Sequence, residues 1–262
     1  MEWLHIAYFL LLGIGTGILS GLFGFGGGVF VVPSLYLLFQ FFSFPQNVIM
    51  QLAIGTSLAT LIFTAAVSTW YHHLKKAVLW RVTRKWTLFL ILGSILGVIL
   101  ARYLPSNALA RIFGYFMLAL SVYLIVPSKK PLFHKPLSFW LTSFLSSFVG
   151  FLSSLLGIGG GTVAVPLFVA MDMPVKNAIA TSSSLTIITG VIGTIGYLLI
   201  GWDSNIPESF GFIYLPAFIT MTITTVLTAP IGVKLAHRLS SKLLKILCGS
   251  VLAIIALAMI LS

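Results

Sequence analysis

Carboxylates are almost absent from this chain: Glu2, Asp172, Asp203 and Glu208 are the four acidic residues among 262. Cation pumps and proton relays place acidic groups at mid-membrane depth. Glu2, Asp203 and Glu208 fall in segments read as external, and Asp172 falls at a turn beside Lys176. That scarcity favours an anionic or neutral substrate. Cys248 is the single cysteine, which excludes an intramolecular disulfide; it reads as a small packed or lipid-facing residue. Charged residues of both signs make up 7% of the chain, against roughly 25% in a soluble domain. A chain so poor in charge cannot cover a core with solvated surface.

Apolar residues fill the space: 59% of positions are hydrophobic. Apolar runs fall at 4–23, 29–44, 48–70, 86–104, 108–126, 137–156, 162–171, 175–200, 211–236 and 243–261. About twenty apolar residues suffice for a helix to cross roughly 30 Å of hydrocarbon. The chain therefore reads as an all-α polytopic membrane protein with 8–10 membrane segments. The first run has no basic flank and no convincing cleavage site, so it is taken as a membrane segment rather than a signal peptide. The net charge of +11 sits in short clusters between apolar runs, as the positive-inside rule produces. No groove-reading motif accompanies it, so nucleic acid is not an expected partner.

Two stretches are written almost alike. Gly17-Ile-Leu-Ser-Gly-Leu-Phe-Gly-Phe-Gly-Gly-Gly-Val-Phe-Val-Val-Pro33 aligns with Gly150-Phe-Leu-Ser-Ser-Leu-Leu-Gly-Ile-Gly-Gly-Gly-Thr-Val-Ala-Val-Pro166, with ten of seventeen positions identical. The likeness continues: Ala53-Ile-Gly-Thr-Ser-Leu58 matches Ala178-Ile-Ala-Thr-Ser-Ser183, and Gly97-Val-Ile-Leu-Ala101 matches Gly232-Val-Lys-Leu-Ala236. Residues 1–126 and 137–262 are therefore expected to be two transmembrane repeats of about five segments each, joined by a basic cytoplasmic linker at 127–136. An odd count per repeat inverts the second against the first. Loop charge agrees: 71–85, 127–136 and 234–245 are rich in Lys and Arg, whereas 201–210 has none. Placing the basic loops in the cytoplasm leaves both termini outside. Loop 102–111, external in this scheme despite Arg102 and Arg111, fits least well.

Each Gly-x-Gly-Gly-Gly break precedes a short apolar segment with a proline. Glycine permits a sharp turn and close approach to backbone N–H groups. A half-helix beginning there would aim its positive end into the bilayer and hold an anion without formal charge. Small-residue helix packing is the competing reading, since Gly24/Gly28 and Gly157/Gly161 are four apart; duplication and the truncated segments favour the half-helix. The stretches do not fit a dinucleotide fingerprint. Hydroxyls recur after each break, at Thr56-Ser57 and Thr181-Ser182-Ser183-Ser184. They serve either as local backbone bonds or as donors to a ligand. The candidate substrate-binding residues are Gly24, Gly26, Gly27, Gly28, Thr56, Ser57, Gly157, Gly159, Gly160, Gly161, Thr181, Ser182 and Ser183. No cofactor, metal site or catalytic residue is expected, because no His/Asp/Glu or Cys cluster lies at membrane depth. His72 and His73 read as interfacial, Lys234 as snorkelling, and Pro216 and Pro230 as kinks.

At the duplicated glycine stretch and the Ala-Ile-Gly-Thr-Ser-Leu motif, the chain resembles the sulfite exporter TauE/SafE family over essentially its full length. That resemblance implies a bacterial-type inner-membrane transporter of small sulfur-containing anions such as sulfite or sulfonates, with export the implied direction. The expectation is a secondary transporter working by alternating access. An anion channel with the same glycine-rich filter is the alternative.

Overall fold

A computed structural model of the chain describes residues 2–23, 27–125, 138–236 and 241–261. Gly24, Gly26 and the linker 127–136 lie outside the described residues. Within them the chain forms ten helices and one short hairpin. The first half holds α1 (Glu2–Phe23), α2 (Gly28–Phe41), α3 (Ile49–Leu74), α4 (Trp80–Tyr103) and α5 (Ser106–Ile125). The second holds α6 (Phe139–Leu156), α7 (Gly159–Ala170), α8 (Val175–Ile200), α9 (Leu215–Ala236) and α10 (Ser241–Leu261). Helices α3, α4, α6 and α8, and the Leu215–Gly232 stretch of α9, are long and apolar enough to cross a membrane. The protein is an all-α polytopic membrane protein.

Helices α2 and α7, with 14 and 12 residues, rise only about 21 and 18 Å at 1.5 Å per residue. Each carries an internal proline, Pro33 or Pro166, which removes one backbone donor. Most of their residues are buried against other helices, where an interrupted ladder is shielded from lipid.

The helices exchange partners between halves. α1 packs on α9 and α6 packs on α4, so the first helix of each half lies on the fourth of the other. α3 packs on α8, and α5 on α10. Small residues set these contacts. A Cβ on Gly93 or Gly97 of α4 would run into the Ser147 or Phe151 carbonyl of α6, and one on Gly150 into the Leu90 carbonyl of α4. Gly13 and Gly17 of α1 meet Thr224 and Thr225 of α9 in the same way. Between apolar helices in lipid, close backbone approach replaces the hydrophobic effect as the source of attraction. Ser94 Oγ donates to the Gly150 carbonyl (3.3 Å), Ser146 Oγ to Trp86 (2.6 Å) and Ser121 Oγ to Gly249 (2.7 Å).

Several sequence boundaries move. Arg81, Arg84 and Lys85, expected in a loop, sit in the first turns of α4, and His72 and His73 close α3. Polar residues continue these helices because the turn between them needs only residues 75–79. Arg102 and Arg111 likewise belong to α4 and α5, with Leu104 and Pro105 making the corner. Pro216 stands in the first turn of α9, where the missing N–H has no intrahelical partner to lose; it marks a helix start rather than a kink. The run expected as one helix from 211 opens instead with a hairpin, β1 (Ser209–Phe210) and β2 (Ile213–Tyr214), paired antiparallel around Gly211 at φ 59°.

If close contact holds α4 to α6, Gly93→Ala should destabilise the protein by about 1–3 kcal/mol through overpacking. Gly15→Ala, with open space around its Cβ, should leave it unchanged. Thermal unfolding in detergent measures both; an unaltered Gly93→Ala melt would contradict the packing account.

Candidate substrate-binding site

Left-handed backbone creates the breaks. Gly157 (φ 70°) caps the end of α6, and Gly159 (φ 71°) begins α7 two residues later; Gly27 (φ 80°) caps α2. Side chains other than glycine rarely adopt these angles. The two breaks touch. A Cβ on Gly28 would lie 2.5 Å from the Gly157 carbonyl oxygen and 2.7 Å from Ile158 Cα. The same carbonyl accepts the Ser57 hydroxyl of α3 at 2.9 Å. Gly27 and Gly159 both face Leu61 of α3, whose methyls would stand 3.6 and 3.1 Å from an added Cβ. Gly27, Gly28 and Gly157 to Gly161 are all buried.

Hydroxyls of α8 meet the start of α7. Gly161 N donates to Thr186 Oγ1 (2.8 Å) and Gly160 N to Thr189 Oγ1 (3.0 Å). Each threonine passes its own proton back to α8: Thr186 to the Ser182 carbonyl (3.1 Å) and Thr189 to the Thr186 carbonyl (3.2 Å). The helix end is thus capped from a neighbouring helix. Four- and seven-residue spacing puts Ser182, Thr186 and Thr189 on one face of α8. Ser182 is 1% exposed and its Oγ has no hydrogen-bond partner; Ser153 and Ser154, in the last turn of α6, also carry buried unpartnered hydroxyls.

The other candidates are distributed around this centre. Thr56 donates to its own Leu52 carbonyl (2.7 Å) and accepts Tyr214 N of the hairpin (3.0 Å). Thr181 Oγ1 accepts Leu79 N at the start of α4 (3.1 Å). Ser183 donates to the Ile179 carbonyl (3.0 Å) and lies 3.3 Å from Ser68 Oγ. Ser57 therefore reaches the breaks, Ser182 stands one helical turn from Thr186 on the same face of α8, and Thr56, Thr181 and Ser183 tie α3 and α8 to their surroundings. Gly24 and Gly26 lie outside the described residues. Sequence reading missed Thr186 and Thr189, although their spacing from Ser182 was legible. It also passed over Ser153, which sits inside the duplicated stretch opposite Ser20.

Buried helix breaks from the two halves meet beside α3 and α8, the second capped by threonines, within a polytopic all-α membrane protein. The chain belongs to the sulfite exporter TauE/SafE family, whose sequence profile matches residues 9–259. It is 30% identical over 257 residues to a probable membrane transporter protein of Methanocaldococcus jannaschii, covering 96% of this chain and 94% of that protein. A probable membrane transporter protein of Haemophilus influenzae is 32% identical over 240 residues, 90% of each chain. The Bacillus subtilis probable membrane transporter protein YunE is 30% identical over 212 residues, 73% of this chain and 78% of that one. No solved structure matches. The protein is a membrane transporter and not an enzyme.

Removing a cap should expose its cost. Thr186→Val would leave the Gly161 N–H buried without an acceptor, a loss of about 1–3 kcal/mol, whereas Thr186→Ser keeps the oxygen and most of the stability. Thermal unfolding reads the difference. Hydrogen exchange at Gly161 should accelerate in the valine variant alone.

Proposed function

We propose that this transporter moves a small oxyanion, sulfite or a sulfonate, by alternating access about the paired glycine breaks. One observation carries the reading: the two breaks meet in a buried centre where threonine hydroxyls of α8 cap the start of α7, one helical turn along α8 from the unpartnered Ser182 hydroxyl. A helix start offers N–H groups and the positive end of a dipole. Neutral donors of this kind hold an anion while letting it leave, which a buried Lys or Arg would oppose. The family description names sulfite export and supports the substrate class and the outward direction.

In this reading the anion draws on the hydroxyls of Ser57, Ser182, Thr186 and Thr189, the two threonines still accepting the Gly161 and Gly160 N–H groups and passing on the positive end of α7. The threonines exchange acceptors as it binds, each turning its proton from an α8 carbonyl to an anion oxygen. One hydrogen bond replaces another, so the exchange costs little. Residues 1–126 and 137–262 act as inverted repeats with both termini outside. The reciprocal packing of α1 on α9 and α6 on α4 supports that arrangement, as does the charge of the loops. Rocking one half against the other would open the centre to each side in turn, with Leu61 and the Gly28–Gly157 contact parting on one side. A buried, closely packed centre suits a carrier better than a standing pore.

Proteoliposomes containing the purified protein should take up labelled sulfite with saturation and show counterflow from a preloaded lumen. Flux that rises linearly with concentration, without counterflow, would replace the carrier with a channel. Ser182→Ala should weaken sulfite binding roughly tenfold, the loss of one charge-assisted hydrogen bond, with no loss of thermal stability. Ser57→Ala should weaken binding and also lower stability by about 1 kcal/mol, because it gives up the bond to Gly157. Parental affinity in both variants would remove the hydroxyls from the site.

A further inference from the structure

A second place in the fold is built for negative charge. Where α3 begins, a cavity of about 340 Å³ opens between its first turn, the α4–α5 corner, the end of α8 and the hairpin. Asn47, Gln51, Arg102, Tyr103 and Phe212 are among its walls, and none of the four carboxylates is. Two features supply positive potential. Arg102 stands in the last turn of α4 with its guanidinium on an exposed side chain. The 26-residue helix α3 starts here at Val48; the Ser106 hydroxyl accepts its Met50 N–H at 2.8 Å, and the positive end of the helix dipole lies at the cavity wall. A third feature is independent of charge. Gln51 is 5% exposed, its Nε2 donates to the Leu104 carbonyl at 2.9 Å, and its Oε1 is buried without a partner. A buried carbonyl oxygen left unpaired is costly, and a donor brought by a ligand would relieve it.

We propose that this cavity binds a small oxyanion that also carries a hydrogen-bond donor, a hydroxy-substituted sulfonate or carboxylate. The anionic group lies against Arg102 and the start of α3, with Asn47 as a further donor, and the hydroxyl donates to Gln51 Oε1. Arg suits the role because its planar fork matches two oxygens of one oxyanion. Phe212 and Tyr103 leave room for a short carbon chain between the two groups. The cavity is distinct from the glycine centre. Gln51 and Ser57 lie on the same helix, about 9 Å apart along its axis, and the hairpin stands between their levels. The Phe212 carbonyl lies against Gly55, and Tyr214 N donates to Thr56 Oγ1 at 3.0 Å. The site's place as an outer station of the transport path rests on the carrier reading; its ligand chemistry does not.

The test titrates the purified full-length protein, in detergent and in nanodiscs of zwitterionic lipid, with 2-hydroxyethanesulfonate and with ethanesulfonate. The hydroxylated compound should bind more tightly. Arg102→Gln should weaken both by about tenfold or more, and Gln51→Leu should erase the preference between them. Arg102 is exposed, so its variant should elute and melt like the parent even if the Gln51 variant does not fold. Parental affinities in Arg102→Gln, or no preference for the hydroxyl in the parent, would overturn the proposal. So would an Arg102→Gln variant that loses only a co-purified anionic phospholipid, seen by mass spectrometry, because the occupant would then be a lipid headgroup. Failure here with Ser182→Ala still impaired leaves the central site standing. The opposite result separates the two in the other direction.

Discussion

Hydrocarbon offers no hydrogen bonds, so every backbone polar group inside a bilayer must find its partner within the protein. Much of the central arrangement follows from that constraint at two points where helices are broken. Gly27, Gly157 and Gly159 take the chain through left-handed turns, and each turn frees groups that an unbroken helix would have paired. The Ser57 hydroxyl takes up the Gly157 carbonyl, and Thr186 and Thr189 accept the first N–H groups of α7. Helices α3 and α8 must therefore lie beside the breaks, and they occupy the middle of the molecule, packed on each other.

The same constraint explains why the short helices are enclosed. Helices α2 and α7 begin at glycines and contain prolines, so neither could face lipid as an intact span. Longer helices wall them in, and α4 and α6 are joined by carbonyl-to-glycine contacts as well as by buried side chains such as Trp86 and Leu90. Gly93, Gly97 and Gly150 each admit a neighbouring backbone carbonyl. Other large apolar side chains turn outward: Leu88, Leu96, Phe144 and Leu227 are exposed. In a membrane that pattern is expected, because lipid is as good a solvent for leucine as another helix.

Aromatic residues close one end of the centre. Phe9, Phe39 and Phe44 surround Tyr214 with ring centroids 5.7, 5.6 and 5.1 Å away, which anchors the hairpin over α3. The hairpin separates the glycine centre from the cavity at the start of α3.

The membrane class, the duplicated breaks and the short helices after them were all legible in the sequence, because lipid imposes length and composition directly on a helix. Glycine and proline positions report backbone geometry in the same direct way. Hydroxyl roles were not legible. Thr56 and Ser57 are adjacent, yet one bonds its own helix and the hairpin while the other reaches across to Gly157. Helical geometry turns neighbouring side chains about 100° apart, and only the packing of α3 decides what each then meets. Thr186 and Thr189 became the caps of α7 for the same reason. The hairpin was hidden because its apolar residues continue the run of α9. The sequence alone determined that the chain would cross a membrane and where its helices would break. Tertiary structure decided which hydroxyls repair those breaks and which, Ser182 among them, are left unpaired, because each partnership depends on how helices distant in sequence are turned toward one another.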